Sequence, residues 1–225
     1  MNDSNKELRY YLCLQRVLGA GSDKSTVILE SFGGPEHFFH VGIEKVGQTG
    51  LLSVKESERY RQFDLEYADK ILQICEKNGI KVMTYSDKLY PDRLRNIPAP
   101  PLVLFYKGEF PDVDNEPTFC LVGPRKISPF GARSAYALAK RLTQAGMTLV
   151  TGEAIGGDTA VLNGTLSFGG KPIMVLPCGI LCDYLPVSRA LREKVSVVGS
   201  LLSEYPPYEN LKRYHFEQRN RLLSG

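Results

Sequence analysis

The sequence predicts an α/β protein: a parallel sheet with helices on both faces, preceded by a small helical N-terminal region. Three observations carry this. After residue 117, strand-like and helix-like runs alternate: TFCLVG, GARSAYALAKRLTQAG, MTLVTG, DTAVLNGTLSFGG, PIMVLP, VSRALREKVSVVG and SLLSEYPP. The strand runs are continuously apolar, the pattern of strands buried on both faces. Residues 6 to about 75 instead carry apolar residues at helical spacing, with glycines as stops.

In order, KELRYYLCLQRVLGAG reads as a helix ended by Gly19 and Gly21, and DLEYADKILQICEKNG as one ended by Gly79. Between them LGAGSDKSTVILESFGGPEHFF resembles a helix-hairpin-helix or related SAM-like bundle, a module that touches a nucleic-acid backbone; a plain packing module fits these residues equally well. IKVMTYSD reads as a strand, LYPDRLRNIPAPPLVLFYKG as a proline-punctuated linker entering another strand, and FPDVDNEP as a loop. The expected domains are therefore 1–79, small and helical, and 80–225, α/β.

The chain has 225 residues, 43% of them apolar, so a substantial core is expected. A net charge of +3 is too small to announce a polyanion partner, so clustering of Arg and Lys matters more than their total. Five cysteines, an odd number without a C-x-x-C pair, fit a reduced cytoplasm. Cys120 and Cys178 sit in apolar runs and read as core residues. Cys178 and Cys182 are four apart, but His37, His40 and His215 are the only histidines, so no zinc site is expected. MNDSNKELRY has no apolar signal core, and no run approaches the roughly 18 residues of a membrane span.

Right-handed crossovers put the C-terminal ends of parallel strands on one edge, where ligands bind. Three loops leave that edge: VGPRKISPFG, TGEAIGGD and LPCGILCDYLP. The first offers Gly123 for close backbone approach, Arg125 to fork onto phosphate oxygens, neighbouring Lys126, and Ser128 to donate or cap. The second offers Gly152, Gly156 and Gly157, with the N–H groups of residues 154–157 at a helix N-terminus, where an anion is favoured. Asp158 reads as the cap of that helix, its carboxylate folded back onto the helix N–H groups. A later segment, YHFEQRNRLLSG, brings Arg219, Asn220 and Arg221. Phe130 and Tyr184 lie near the edge; packing is expected for both, with base stacking as the second role. Neither glycine loop is G-x-G-x-x-G or G-x-x-x-x-G-K-[ST], no G-x-S-x-G occurs, and His215 reads as structural, so no catalytic residue, cofactor or metal is expected.

Taken together, LYPDRLRNIPAPPLVLFYKG, LVGPRKISPFG, TGEAIGGDTAVLNGTLSFGGKPIMVLPCGI, YLP, LLSEYPP and FEQRNRLLSG resemble, in this order, the DNA-processing protein A (DprA, or Smf) family. The resemblance covers roughly residues 85–225. It implies an extended Rossmann-like domain, incomplete at its C-terminal side, that binds single-stranded DNA without sequence preference. It implies a mediator that helps load a RecA-type recombinase in natural transformation, not an enzyme. A homodimer is compatible with it. The family's glycine-hydroxyl-arginine motif falls on Gly123-Pro124-Arg125, its glycine loop on Gly152 to Asp158, and its Arg-Asn-Arg motif on Arg219, Asn220 and Arg221. Lys171, after a glycine pair, is expected at the same edge. Three positions depart: Pro124 lacks an N–H, Ile155 stands in place of an arginine, and Gly157, replacing an apolar residue, is expected to loosen the loop. The chain's last residues, 219–225, are expected to be a mobile tail.

The alternative is a nucleotide sensor or an enzyme related to the phosphoribohydrolases, whose P-G-G-x-G-T motif would stand where this chain reads Leu176-Pro177-Cys178-Gly179-Ile180. A third reading is a scaffold of the same fold that has lost its ligand.

Overall fold

The computed structural model describes residues 3–225; residues 1–2 of the expected first domain lie outside them. By contacts the chain divides into two units, 1–90 with 94–104, and 91–93 with 105–225.

The first unit carries α1 (Asp3–Leu18), α2 (Ser25–Phe32), α3 (Pro35–Val41), α4 (Ile43–Gln48), α5 (Val54–Arg61), α6 (Leu65–Lys77) and β1 (Lys81–Thr84). Helix α1 packs against α3, α5 and α6. Ser53 opens α5 with a capping box closed by Glu56, and the Asp64 carboxylate caps α6 by accepting the Glu66 N–H at 2.8 Å. Phe38, Phe39, Tyr10 and Tyr60 form the aromatic core, and Phe39 stacks on Phe63 at 4.1 Å. The sequence divides the chain after residue 79, whereas contacts keep residues 80–90 and 94–104 with the helices. The Gln15 amide donates to the Val103 carbonyl at 3.4 Å, the Tyr85 N–H to Leu102 O at 3.0 Å, and the Tyr90 hydroxyl to Pro101 O at 2.8 Å.

The remaining elements are α7 (Asp92–Arg95), a helical turn inside the proline-rich linker, β2 (Val103–Gly108), β3 (Thr118–Cys120), α8 (Pro129–Gln144), β4 (Thr148–Thr151), α9 (Gly157–Leu166), β5 (Ile173–Val175), a 3-10 turn Pro186–Ser188, α10 (Arg189–Val198), β6 (Ser200–Ser203) and α11 (His215–Ser224). Among the described residues, six strands stand in the order β1-β2-β6-β5-β4-β3. Strands β3 to β6 are parallel, as their apolar runs predict, but β2 lies antiparallel to β6, with Phe105 opposite Ser203. The sheet is therefore mixed. At Gly108 the chain leaves β2 with φ +103°, and a side chain there would overlap the Gly199 carbonyl.

Every residue of β5 and β6 is buried, and α10 and α11 both pack on β5. Ala139 of α8, Leu149 of β4 and Val161 of α9 meet in a buried cluster. Strand β3 is the sheet's edge, which corrects the expectation for Cys120. Cys178 is buried, but Cys120 is exposed beside Phe119 on β3, the outermost strand among the described residues. Among the described residues, no helix is long and apolar enough to cross a membrane.

Candidate nucleic-acid interface

The parallel strands deliver three loops to one edge, and glycine backbones join the first two. A Cβ on Gly123 would stand 2.6 Å from the Gly157 Cα, and one on Gly157 would overlap Gly123. The Gly157 N–H donates to the Pro124 carbonyl at 3.0 Å. Gly156, at φ +100°, lies so close to this loop that a Cβ would be 2.5 Å from Arg125 O. These glycines serve loop-to-loop packing. Gly157 therefore clamps the loop it was expected to loosen.

Asp158 is not the helix cap. It is the second residue of α9, whose N-cap position is Gly156, with no side-chain cap bond. Its buried carboxylate instead accepts the N–H of Gly123 through Oδ1 and that of Ala154 through Oδ2, both at 3.0 Å. One carboxylate thus ties the two loops together. Two of the four loop N–H groups expected to face an anion, those of Ala154 and Gly157, are consumed in this way. Among the described residues, those of Ile155 and Gly156 have no protein partner.

The Arg-Asn-Arg segment departs most from the sequence expectation. It is no mobile tail: it lies within α11, where Arg219 and Leu222 are buried. The Arg219 guanidinium lies over Gly152, where a Cβ would meet it at 2.6 Å, and its Nη1 donates to the Val175 carbonyl at 2.5 Å. Burial pushes its pKa down, and the Asp158 carboxylate opposes that. Arg221 donates through Nη2 to both oxygens of buried Glu204, at 2.6 and 2.5 Å. Asn220 is exposed. Both arginines fasten α11 to the strand ends, because the buried carboxylate and carbonyl there attract them inward.

The third loop is held by a pair the sequence reading missed. Arg192 of α10 donates through Nε and Nη2 to the buried Glu153 carboxylate, and through Nη1 to the Cys182 carbonyl at 2.7 Å. The Ser188 hydroxyl also donates to Glu153. Burial alone would lower the Arg192 pKa, but the Glu153 carboxylate outweighs it and raises it. The available signals were an acid inside a glycine turn and an arginine within an amphipathic helix. The Arg192 guanidinium sits 5.3 Å from the Tyr184 ring, Tyr184 meets Phe216 edge-on at 6.4 Å, and the Arg125 guanidinium lies 4.7 Å over Phe216. This chain links all three loops to α11. Buried His215 is structural, as expected, with Nδ1 3.0 Å from the Pro177 carbonyl and its ring stacked on Tyr205 at 4.1 Å.

Arg125 and Lys126 remain exposed at the edge, with no carboxylate partner among the described residues. The Ser128 hydroxyl accepts the Gly131 N–H at 3.0 Å and caps α8. Lys171 does not join them. It precedes β5, so it sits at the opposite edge of the sheet, and it pairs with Glu109 at 2.9 Å.

The fold and this edge define a Rossmann-like α/β protein with interlocked glycine loops at its strand ends. Residues 81–225 match the family described as DNA recombination-mediator protein A, and the chain belongs to that family. It is 30% identical over 240 residues to Protein Smf of Synechocystis sp., covering 99% of this chain and 57% of that protein. It is 34% identical over 168 residues to the DNA processing protein DprA of Streptococcus pneumoniae, covering 75% of this chain and 57% of that one. The X-ray structure of S. pneumoniae DprA superposes with a TM-score of 0.71 at 25% identity, over 96% of this chain and 74% of the other. A DNA processing protein A structure from Helicobacter pylori, described for its single-stranded DNA binding mode, superposes at 0.53 and 25% identity, over 64% of each chain. The chain spans about half the length of the curated relatives it matches.

Proposed function

We propose that the second unit binds single-stranded DNA along the strand-end edge, without sequence preference. Arg125 and Lys126, with the N–H groups of Ile155 and Gly156, meet backbone phosphates. The observation that carries this reading is the exposure of two adjacent cations, without carboxylate partners among the described residues, on a loop locked by Asp158 and by glycine packing. A rigid loop contacts phosphates at little entropic cost, and phosphate contacts alone carry no sequence preference. The DNA-binding relative from H. pylori supports the same reading. The protein acts as a mediator in DNA processing, not as an enzyme, and helps load a RecA-type recombinase in natural transformation.

The test is fluorescence anisotropy of labelled oligothymidylate over a salt series. Affinity falls as salt rises, with a slope of about −0.7 in log–log form per phosphate contact, and duplex of equal length binds more weakly. Absence of binding by folded protein at low salt refutes the reading. Recombinase loading is tested separately, by the rate at which a RecA-type protein assembles on single strands already coated with a single-strand-binding protein.

A further inference from the structure

We infer that Phe130 and Tyr214 form a base-stacking platform at the strand-end edge, which takes the faces of unpaired bases while the neighbouring cations take the phosphates. The inference rests on the DNA-binding reading above and adds how bases are engaged.

Several rings at this edge are already occupied. Tyr184 and Phe216 pack against each other and against Arg192 and Arg125, and Tyr205 stacks on His215. Phe130 and Tyr214 differ, being 74% and 52% exposed. Phe130 was expected to pack, and it does not.

Both rings stand on fixed backbone. Phe130 follows Pro129 in the first turn of α8, which the Ser128 hydroxyl caps. Tyr214 occupies the N-cap position of α11 and meets His215 edge-on at 4.7 Å, while His215 is itself held by Tyr205 and the Pro177 carbonyl. The contact of Arg125 with Phe216 brings the loop that leads to Phe130 against the first turn of α11, where Tyr214 stands. Each ring also lies close in the chain to an exposed cation that forms no ion pair among the described residues: Lys126 before Phe130, and Arg213 before Tyr214.

Held rings interleaved with free cations are the arrangement that binds a single strand irrespective of sequence, since every base has a stacking face. A duplex keeps those faces inside its own stack, so such rings favour single strands.

The test compares an oligothymidylate with an abasic oligomer of the same length, which keeps the phosphates and lacks the bases. The thymidine strand binds more tightly, by about tenfold for each stacked ring. Phe130→Ala and Tyr214→Ala each remove about tenfold of that advantage. Neither changes the affinity for the abasic strand or the salt slope. The chain has no Trp, so Tyr214→Trp introduces a single indole, which the thymidine strand quenches and the abasic strand does not. Equal binding of the two strands, or unchanged variants, overturns the platform and leaves the phosphate edge standing. Failure of folded protein to bind either strand overturns the DNA-binding reading and the platform with it.

Discussion

Gly123 and Gly157 pack backbone against backbone, so closely that neither tolerates a Cβ, although 34 positions separate them. The contact joins the loop after β3 to the loop after β4, and Asp158 bonds to both loops beside it. The glycines of this edge therefore shape the protein, while Arg125 and Lys126 stay exposed on its rim, where the proposed DNA binding would use them. That division of labour sets what each substitution does.

Gly157→Ala costs stability. At an unhindered helix position alanine gains up to about 1 kcal/mol over glycine. At Gly157 the added methyl meets backbone, which cannot rotate away, and overpacking of this kind costs about 1–3 kcal/mol. Gly47 in α4 is the control, because nothing lies within 4 Å of a Cβ there. Gly47→Ala stabilises by about 0.5–1 kcal/mol. Urea unfolding of both variants checks the opposite signs.

Glu153→Gln destabilises strongly. It leaves the Arg192 guanidinium buried and uncompensated, at a cost of about 3–5 kcal/mol. Replacing both partners, Glu153→Leu with Arg192→Met, restores much of that loss, because no buried charge then remains. Equal unfolding midpoints for the single and the double variant contradict this account.

The parallel strands and the two glycine loops were legible because apolar runs and glycine spacing are local properties of the chain. So was the place of Lys171: a residue preceding a parallel strand lies at the opposite edge from the loops that follow it, and the resemblance, not the topology, had put it with them. The fate of Arg219 was not legible. Whether an arginine faces solvent or a carbonyl depends on how α11 packs, and RNRLLSG alone does not distinguish a helix end from a tail. The antiparallel β2 was hidden likewise, since strand direction follows from tertiary pairing. Glu153 and Arg192, 39 positions apart, find each other only in the fold.

Stability falls below neutral pH because of His215. Burial lowers its pKa below the usual 6.5, so the unfolded chain takes up the proton more readily than the folded one. The contribution is fully present above 6.5 and is lost as pH falls from there through the lower folded value. His215→Phe keeps a ring against Tyr205 and removes the titration. Its unfolding free energy, measured by urea at successive pH values, lacks the decline that the parent shows just below 6.5.

Arg125→Ala and Arg219→Ala separate binding from architecture. Arg125 is exposed and gives up a cation–π contact with Phe216 worth about 0.5–1 kcal/mol, so its variant stays folded. The same variant loses a charge-assisted phosphate contact worth about 1.5–3 kcal/mol, roughly 10- to 150-fold in affinity, and its salt slope shrinks by about 0.7. Arg219 is buried over Gly152 and bonded to Val175 O. Its loss opens a cavity beneath the glycine loop and leaves Asp158 without its cation, so Arg219→Ala lowers the unfolding midpoint first, and any weaker DNA binding follows from the loosened loop. Lys171→Ala, at the far edge, leaves both properties unchanged, since the exposed pair it breaks with Glu109 is worth little. Anisotropy and urea unfolding on the three variants decide. A folded Arg219→Ala variant of parental stability, with the salt slope reduced by one contact, would place the Arg219 guanidinium on a phosphate and contradict the fastening role.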